Sequence, residues 1–361
     1  MESFHELELS PNILRGIDAA GFKKPTPIQA RSMGPLLSGH DVIGQAKTGT
    51  GKTAAYGLTL LQSIDMGQRE VQALVLAPTR ELAIQITVEI RKLGKFTGTK
   101  ILTVYGGQSI NVQLDALRQG VHTVVGTPGR LIDHIKRGSL DLSSVKFLVL
   151  DEADTMLDMG FVDDVEFILE SIHGEKQVSL FSATMPPRII ELSDRYMRNP
   201  ERILIDSDEP SVETLNQSYL VVEPALKFSI LLDLLKEERP FSTMIFCRTR
   251  YGVRRLARDL GRARFKVVQL HGDLSQHQRD QAMHQFRTER AEILVATDVA
   301  SRGIDIRSVD CVVNYEVPEN PLLYFHRVGR TARAGDSGKS FTFVTRQEFG
   351  DFGRIIHLTK A

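Results

Sequence analysis

The stretch Ala46-Lys47-Thr48-Gly49-Thr50-Gly51-Lys52-Thr53 sets two glycines, a lysine and a threonine between a short apolar run, Asp41–Gly44, and a helix-favouring one, Ala54–Leu58. Strand, glycine-rich turn and helix in that order make a phosphate-binding loop. Gly49 and Gly51 let successive N–H groups turn into one concavity, and the helix beginning near Lys52 adds its positive end. Lys52 can then reach β- and γ-phosphates while the Thr53 hydroxyl holds Mg²⁺. The general pattern has glycine where this chain has Ala46. The chemistry expected of the loop is binding of a nucleoside triphosphate.

Two further clusters suit that chemistry. Asp151-Glu152-Ala153-Asp154 closes the apolar run Val145–Leu150, and acidic groups at the end of a buried strand need a cation. Alone, the tetrapeptide reads as a solvated acidic turn. Beside a phosphate loop, Asp151 reads as the partner of a Mg²⁺–triphosphate and Glu152 as the group that orients and deprotonates a water. Far downstream, Arg330 and Arg333 stand three apart, which on a helix puts both on one face. Paired guanidinium groups suit the charge that builds on a transferring γ-phosphoryl. The bland alternative is a basic, solvated helix end.

These groups need rigid carriers. Short apolar runs alternate with amphipathic segments, the pattern of βα units and parallel sheets. Strand candidates are Asp41–Gly44, Ala73–Leu76, Lys100–Val104, Thr123–Val125, Phe147–Leu150 and Ser179–Phe181, then Thr243–Phe246, Val267–Leu270, Ile293–Ala296, Cys311–Tyr315 and Phe341–Val344. Between the two sets the pattern lapses in the polar Asp206–Ser211. We therefore expect an α/β protein of two lobes, 1–206 and 218–361, joined by a linker at 207–217, with no close sequence repeat between them. Ligands of such sheets bind beyond the carboxyl ends of the strands.

With 361 residues, 42% apolar and 25% charged, the chain can support two cores. Lys+Arg and Asp+Glu both number 45, so no net positive field draws in a polyanion, which local groups must hold instead. Cys247 and Cys311 lie in apolar runs without metal-ligand spacing, as buried thiols of a reducing compartment would. Neither a secretory signal nor an apolar run of membrane-spanning length is seen, and a soluble, cytoplasmic protein with no membrane partner is expected.

The phosphate loop, Asp151–Asp154 and Ser182-Ala183-Thr184, in this order, resemble the DEAD-box RNA helicase family, from Phe4 to about Gly335. The resemblance implies two RecA-like domains, each a mostly parallel sheet flanked by helices, with ATP and Mg²⁺ as cofactors. It implies nucleotide contacts from the loop residues Ala46, Thr48, Gly49, Thr50, Gly51, Lys52 and Thr53, with Thr53 and Asp151 on the metal. Gly21–Gln29 is similar to the family's adenine-recognising motif, which assigns Lys24 and Gln29 to the nucleotide and stacks Phe4 on the base. From the residues alone, Phe4 and Phe22 are core aromatics. An amide that donates and accepts at once does suit the N6–N7 edge of adenine.

The resemblance further implies RNA contacts from Pro78, Thr79, Arg80, Gly107, Thr127, Pro128, Gly129 and Arg130. In the second lobe it implies them from Arg248, Gly272, Arg279 and Thr297. Such contacts grip sugar and phosphate and carry little base specificity. Asp154, Ser182, Thr184 and His326 would couple hydrolysis to strand separation, Gly303 and Asp305 would face the nucleotide, and Arg330 and Arg333 would act as arginine fingers beside Lys52, Asp151 and Glu152. Arg254, Arg255, Arg258 and Arg262 form a basic stripe best explained as a solvated face.

The expected activity is RNA-dependent ATP hydrolysis coupled to local melting of short RNA duplexes, by a protein working as a monomer. One alternative is an ATP-gated RNA clamp; another, which the intact Asp-Glu-Ala-Asp disfavours, is a translocating motor. Choice of target is expected to need a partner protein or a further segment.

Overall fold

Runs of four to six residues rich in Val, Leu and Ile, buried along nearly their whole length, can only be interior strands of sheets covered on both faces. The computed structural model describes residues 2–46, 49–205, 215–301, 309–318, 321–331 and 338–359. The chain divides into two compact units, Met1–Ser207 and Asp208–Ala361.

In the first unit the strands are β1 (Val42–Gln45), β2 (Ala73–Leu76), β3 (Ile101–Val104), β4 (Thr123–Gly126), β5 (Phe147–Asp151), β6 (Gln177–Ser182) and β7 (Glu201–Leu204). They form one parallel sheet in the order β3-β4-β2-β5-β6-β1-β7. The second unit holds β8 (Leu215–Val221), β9 (Thr243–Phe246), β10 (Val267–Leu270), β11 (Ile293–Ala296), β12 (Cys311–Asn314) and β13 (Gly338–Val344), all parallel, in the order β10-β11-β9-β12-β13-β8. Numbered from its own first strand, each sheet runs 3-4-2-5-6-1, with β7 added at the end of the first.

The match extends to single bonds. Beyond β2, Ala77 N donates to Gly126 O at 2.9 Å, and beyond β9, Cys247 N donates to Ala296 O at 2.9 Å. Thr127 N reaches Val104 O, and Thr297 N reaches Leu270 O. The next helix is capped by Thr79 in one unit and by Thr249 in the other, each hydroxyl accepting a backbone N–H of the first turn. The repeat is one of hydrogen bonds and topology, with no repeat of sequence behind it.

Separate apolar clusters fill the two faces of the first sheet, one around Tyr56, Ile90 and Phe181, the other around Leu74, Leu148 and Ile168. Two strands lie beyond those expected. β7 and β8 were not anticipated, and β8 begins at Leu215, inside the stretch read as linker, whose residues 207–214 lie outside the described ones. Both are edge strands with partly exposed residues, Glu-Arg-Ile-Leu in β7 and Leu-Asn-Gln-Ser-Tyr-Leu-Val in β8, so neither shows a buried apolar run. Cys247 and Cys311 are buried free thiols, as the sequence suggests.

Candidate nucleotide and RNA sites

The strand order sorts the motifs of the first unit. β5, β6 and β1 are neighbours, so the turns after them meet: Asp151 after β5, Ser182 to Thr184 after β6, Ala46 to Thr53 after β1. Gln45 pairs with Ser182 in register, and Ala46 N donates to Ser182 O at 3.0 Å.

Gly49 and Gly51 take φ of 82° and 89°, the left-handed region that glycine enters freely. Gly51 caps the helix Lys52–Ser63. Lys52, its first residue, is buried and donates from Nζ to Ala46 O at 2.8 Å. One turn on, the Tyr56 hydroxyl donates to Asp151 Oδ2 at 2.7 Å. Asp151 Oδ1 accepts from Glu152 N at 2.9 Å. Burial pushes the Asp151 carboxyl above its ordinary range, against the pull of Lys52 and the Tyr56 hydrogen bond. Burial, then Asp151, holds the Tyr56 phenol well above its usual value.

Glu152 adopts a left-handed backbone, φ 50° and ψ 53°, at the head of the helix Ala153–Asp158. A non-glycine residue there costs about 1 kcal/mol or more and persists only where its surroundings hold it. The surroundings are dense. Asp154 N donates to Ser182 Oγ at 3.2 Å, and Asp154 Oδ2 accepts from both the N–H and the hydroxyl of Thr184, each at 2.9 Å.

Gln29 joins this group. It is fully buried on the helix Pro27–Leu37, accepts from Thr26 N at 2.9 Å and donates from Nε2 to Gly51 O at 3.0 Å. Its amide therefore braces the phosphate loop from behind. Phe4 is 1% exposed, its ring edge-on to Phe22 at 6.2 Å, as a core aromatic; the two rings line a shallow cleft with Ile17 and Lys23. Lys24 is exposed in the bend before that helix. Thr50 lies half-buried in the loop, and Thr48 lies outside the described residues.

On the other half of the sheet, β3, β4 and β2 are neighbours and gather Gly106-Gly107, Thr127–Arg130 and Pro78–Arg80. Thr79 caps the helix Arg80–Leu93, and Thr127 precedes the helix Pro128–Lys136. The Arg80 guanidinium stacks 4.3 Å over the Tyr105 ring, and Arg130 Nη1 donates to Gln108 O (3.2 Å) and Gln113 Oε1 (3.1 Å). Gly107 takes φ 86° and Gly129 is exposed.

In the second unit, Gly272 follows β10 in an exposed turn, Thr297 is buried after β11, and Arg279 donates to Ala300 O at 3.2 Å. Arg248 is more engaged than its reading as a phosphate ligand implied. Its N–H bonds Glu316, its Nη2 bonds Val317 O at 2.8 Å, and Asp351 lies 3.7 Å away. The basic stripe is matched by acids: Arg250 and Arg254 pair with Asp273, while Arg255, Arg258 and Arg262 surround Asp259.

Arg330 corrects an expectation. The helix Pro321–Val328 ends before it, and Arg330 sits in the following turn with its carbonyl accepting from Val309 N at 2.9 Å. Gly329, a poor helix former, and the Thr331 hydroxyl, bonded to Val309 O at the close of the turn, draw the chain out of the helix. The shared helical face argued for Arg330 and Arg333 therefore does not exist at Arg330; Arg333, Gly303 and Asp305 lie outside the described residues. His326 is half-buried on that helix.

Sequence reasoning missed Arg327, 2% exposed and paired with both oxygens of Asp298 at 2.6 and 2.7 Å. It also missed Tyr56, Gln113 and His134. Tyr56 lies four residues after Lys52 and His134 four after Arg130, a helical spacing that could have flagged both.

Residues 26–192 match the DEAD/DEAH box helicase family and residues 226–335 the helicase conserved C-terminal domain. The chain is 46% identical over 360 residues to the DEAD-box ATP-dependent RNA helicase CshA of Geobacillus kaustophilus, covering all of this chain and 77% of that protein. It is 44% identical to the CshA of Bacillus subtilis, over 99% of this chain and 72% of that one. Among solved structures, S. cerevisiae Dbp5 bound to RNA and ADP BeF3 superposes with a TM-score of 0.88 at 34% identity, over 99% of this chain and 94% of that one. A DEAD box protein from Methanococcus jannaschii gives 0.58 at 42% identity, over 100% and 98%. With the phosphate loop, Asp151–Asp154 and Ser182–Thr184 meeting on three adjacent strands, this chain belongs to the DEAD-box ATP-dependent RNA helicase family.

Proposed function

We propose that this chain is an RNA-dependent ATPase that melts short RNA duplexes locally, holding RNA by its sugar-phosphate backbone. The observation that carries the reading is the division of the first sheet, with triphosphate chemistry on β5-β6-β1 and the backbone-gripping turns on β3-β4-β2.

The nucleotide is held by Gly49, Thr50, Gly51, Lys52 and Thr53 together with Thr48, with Ala46 fixing Lys52 from below. Gln29 reads the adenine edge while bracing Gly51, Phe4 backs the base from the cleft it lines with Phe22, and Lys24 stands at the same edge. Mg²⁺ fits Asp151 and Thr53. Burial makes a lone Asp151 carboxylate costly, and no cluster of three or more metal-ligating side chains is found among the described residues. Such a site suits an ion that keeps its waters and arrives on phosphate oxygens, where it would neutralise charge on the triphosphate. Glu152 orients and deprotonates the attacking water, its strained backbone being the sign of a functional position. Arg330 and Arg333 stabilise the γ-phosphoryl charge, with Gly303 and Asp305 on the nucleotide. Asp154, Ser182, Thr184 and His326 couple hydrolysis to RNA.

RNA is gripped by Pro78, Thr79, Arg80, Gly107, Thr127, Pro128, Gly129 and Arg130, and in the second unit by Arg248, Gly272, Arg279 and Thr297. The lobes are those expected at 1–206 and 218–361, the second widened to take in β8 from Leu215. Among the described residues no helix is long and apolar enough to cross a membrane; we propose a cytoplasmic monomer that takes its target from a protein partner. The test is ATPase rate and unwinding on blunt and tailed RNA and DNA duplexes. RNA-stimulated turnover, with blunt and tailed RNA both melted, is expected; a strong DNA response or a need for one tail polarity would overturn local melting.

A further inference from the structure

The helix Ile110–Arg118 inverts the usual order of burial. Its one buried residue is Gln113, at 0% exposure, while Val112 beside it is 57% exposed. A buried amide needs partners, and Gln113 has a full set. Nε2 donates to Tyr105 O at 3.1 Å and to Gln108 Oε1 at 2.9 Å; Oε1 accepts from Arg130 Nη1 at 3.1 Å and bonds His134 Nε2 at 2.9 Å. The orientation of the amide is fixed, because a carbonyl can only accept and a guanidinium can only donate. It follows that His134 carries a proton on Nε2; Nδ1 lies 2.8 Å from Ser139 Oγ, whose hydroxyl also donates to His134 O at 3.1 Å, and in the neutral ring Nδ1 shares that hydroxyl proton. Burial first, then Arg130, lowers the His134 pKa and keeps the ring in this neutral form.

The partners of Gln113 belong to different strands. Tyr105 and Gln108 bracket the Gly106-Gly107 turn after β3, Arg130 heads the helix after β4, and the Tyr105 ring carries Arg80 from the turn after β2. One amide therefore ties the turn after β3 to the helix after β4, and through Tyr105 this group reaches Arg80 after β2. A guanidinium offers five N–H donors, and engaging Arg130 Nη1 inward sets the plane in which the others face an anion.

We propose that Gln113, clamped by His134, is a positioning residue for RNA: it sets the spacing of the Gly106-Gly107 turn and Arg130 so that they and Arg80 meet successive backbone phosphates as one surface. This inference rests on the proposed RNA role of those turns. The test compares native protein with Gln113→Leu, Gln113→Glu, Arg130→Ala and the Leu/Ala double variant, in ATPase assays titrated with single-stranded RNA, with melting temperatures measured alongside. Gln113→Leu removes all four bonds. Gln113→Glu keeps acceptors for Arg130 and His134 but cannot donate to Tyr105 O.

We expect KM for RNA to rise about tenfold in Gln113→Leu and less in Gln113→Glu, with kcat at saturating RNA kept within about twofold. The effect of Gln113→Leu should shrink in the Arg130→Ala background, the non-additivity of residues acting as a unit. If Arg130→Ala raises KM and the Gln113 variants do not, positioning is wrong while the RNA reading stands. If Arg130→Ala leaves KM unchanged, the RNA reading fails and this inference with it. Loss of kcat together with stability in both Gln113 variants would make the residue merely structural. Should Gln113→Leu fail to fold, the near-isosteric Gln113→Glu decides by the same split of KM from kcat.

Discussion

Asp151 ends a strand whose every residue is buried, and burial raises its carboxyl above the ordinary range. A carboxyl whose folded pKa is raised contributes stability below its unfolded value and loses it as pH rises through the folded one. Once ionised, Asp151 is therefore a burden on the nucleotide-free protein. Asn can keep both contacts, accepting from Glu152 N and donating to the Tyr56 hydroxyl, without the charge. Asp151→Asn is expected to abolish ATP turnover while raising the melting temperature at pH 8, by about 2–4 °C per kcal/mol for a unit of this size. The gain should narrow as pH falls and the native carboxyl takes up its proton. A lower melting temperature at pH 8 would show that the negative charge itself holds the site together. Lys52, Asp151 and Glu152 were legible because their types and spacing are rare outside phosphate chemistry. Tyr56 and Gln113 were not, because a phenol or an amide announces itself only by what it touches after folding.

At the scale of elements, the phosphate loop depends on the helix behind it. A Cβ added at Gly51 would lie 2.4 Å from Gln29 Nε2, on a backbone of φ 89° that side chains avoid. Gly51→Ala should therefore both strain the loop and expel the Gln29 brace. The expected result is a rise of about tenfold or more in KM for ATP, with binding of RNA in the absence of nucleotide retained, read by titration. Unchanged KM would mean the brace is dispensable. The interior strands were legible from apolar runs such as Ala73–Leu76, since burial on both faces leaves no polar position. β7 escaped because an edge strand has one neighbour and tolerates Glu201 and Arg202. Arg330 was placed on a helix by spacing alone, whereas Gly329 and Thr331 had already ended it.

For the whole molecule, the proposed fingers and phosphate loop lie in different units, so on the proposed function RNA contacted by both units is expected to favour the state that hydrolyses ATP. Reciprocity then requires each ligand to tighten the other. A non-hydrolysable ATP analogue should bind about tenfold more tightly with saturating RNA, and RNA more tightly by the same factor with the analogue. Equal analogue affinity with and without RNA would end this scheme. Two lobes were legible from the lapse at Asp206–Ser211, but their shared strand order was not, because it rests on backbone hydrogen bonds such as Thr127 to Val104 and Thr297 to Leu270, and isolated matches such as Thr79 with Thr249 are too sparse to reveal it.

That shared order gives the protein a form of avidity. The proposed grips occupy matching strand ends in both units: β2 and β9, β3 and β10, β4 and β11. If those proposed grips engage one polymer, they act as two tethered half-sites, and engaging the first should raise the effective concentration of RNA at the second. Each half can then be weak, as a chain with 45 positive and 45 negative side chains would make it, because a half that lets go is kept near the RNA by the other and rebinds. Tethering supplies what bulk charge does not.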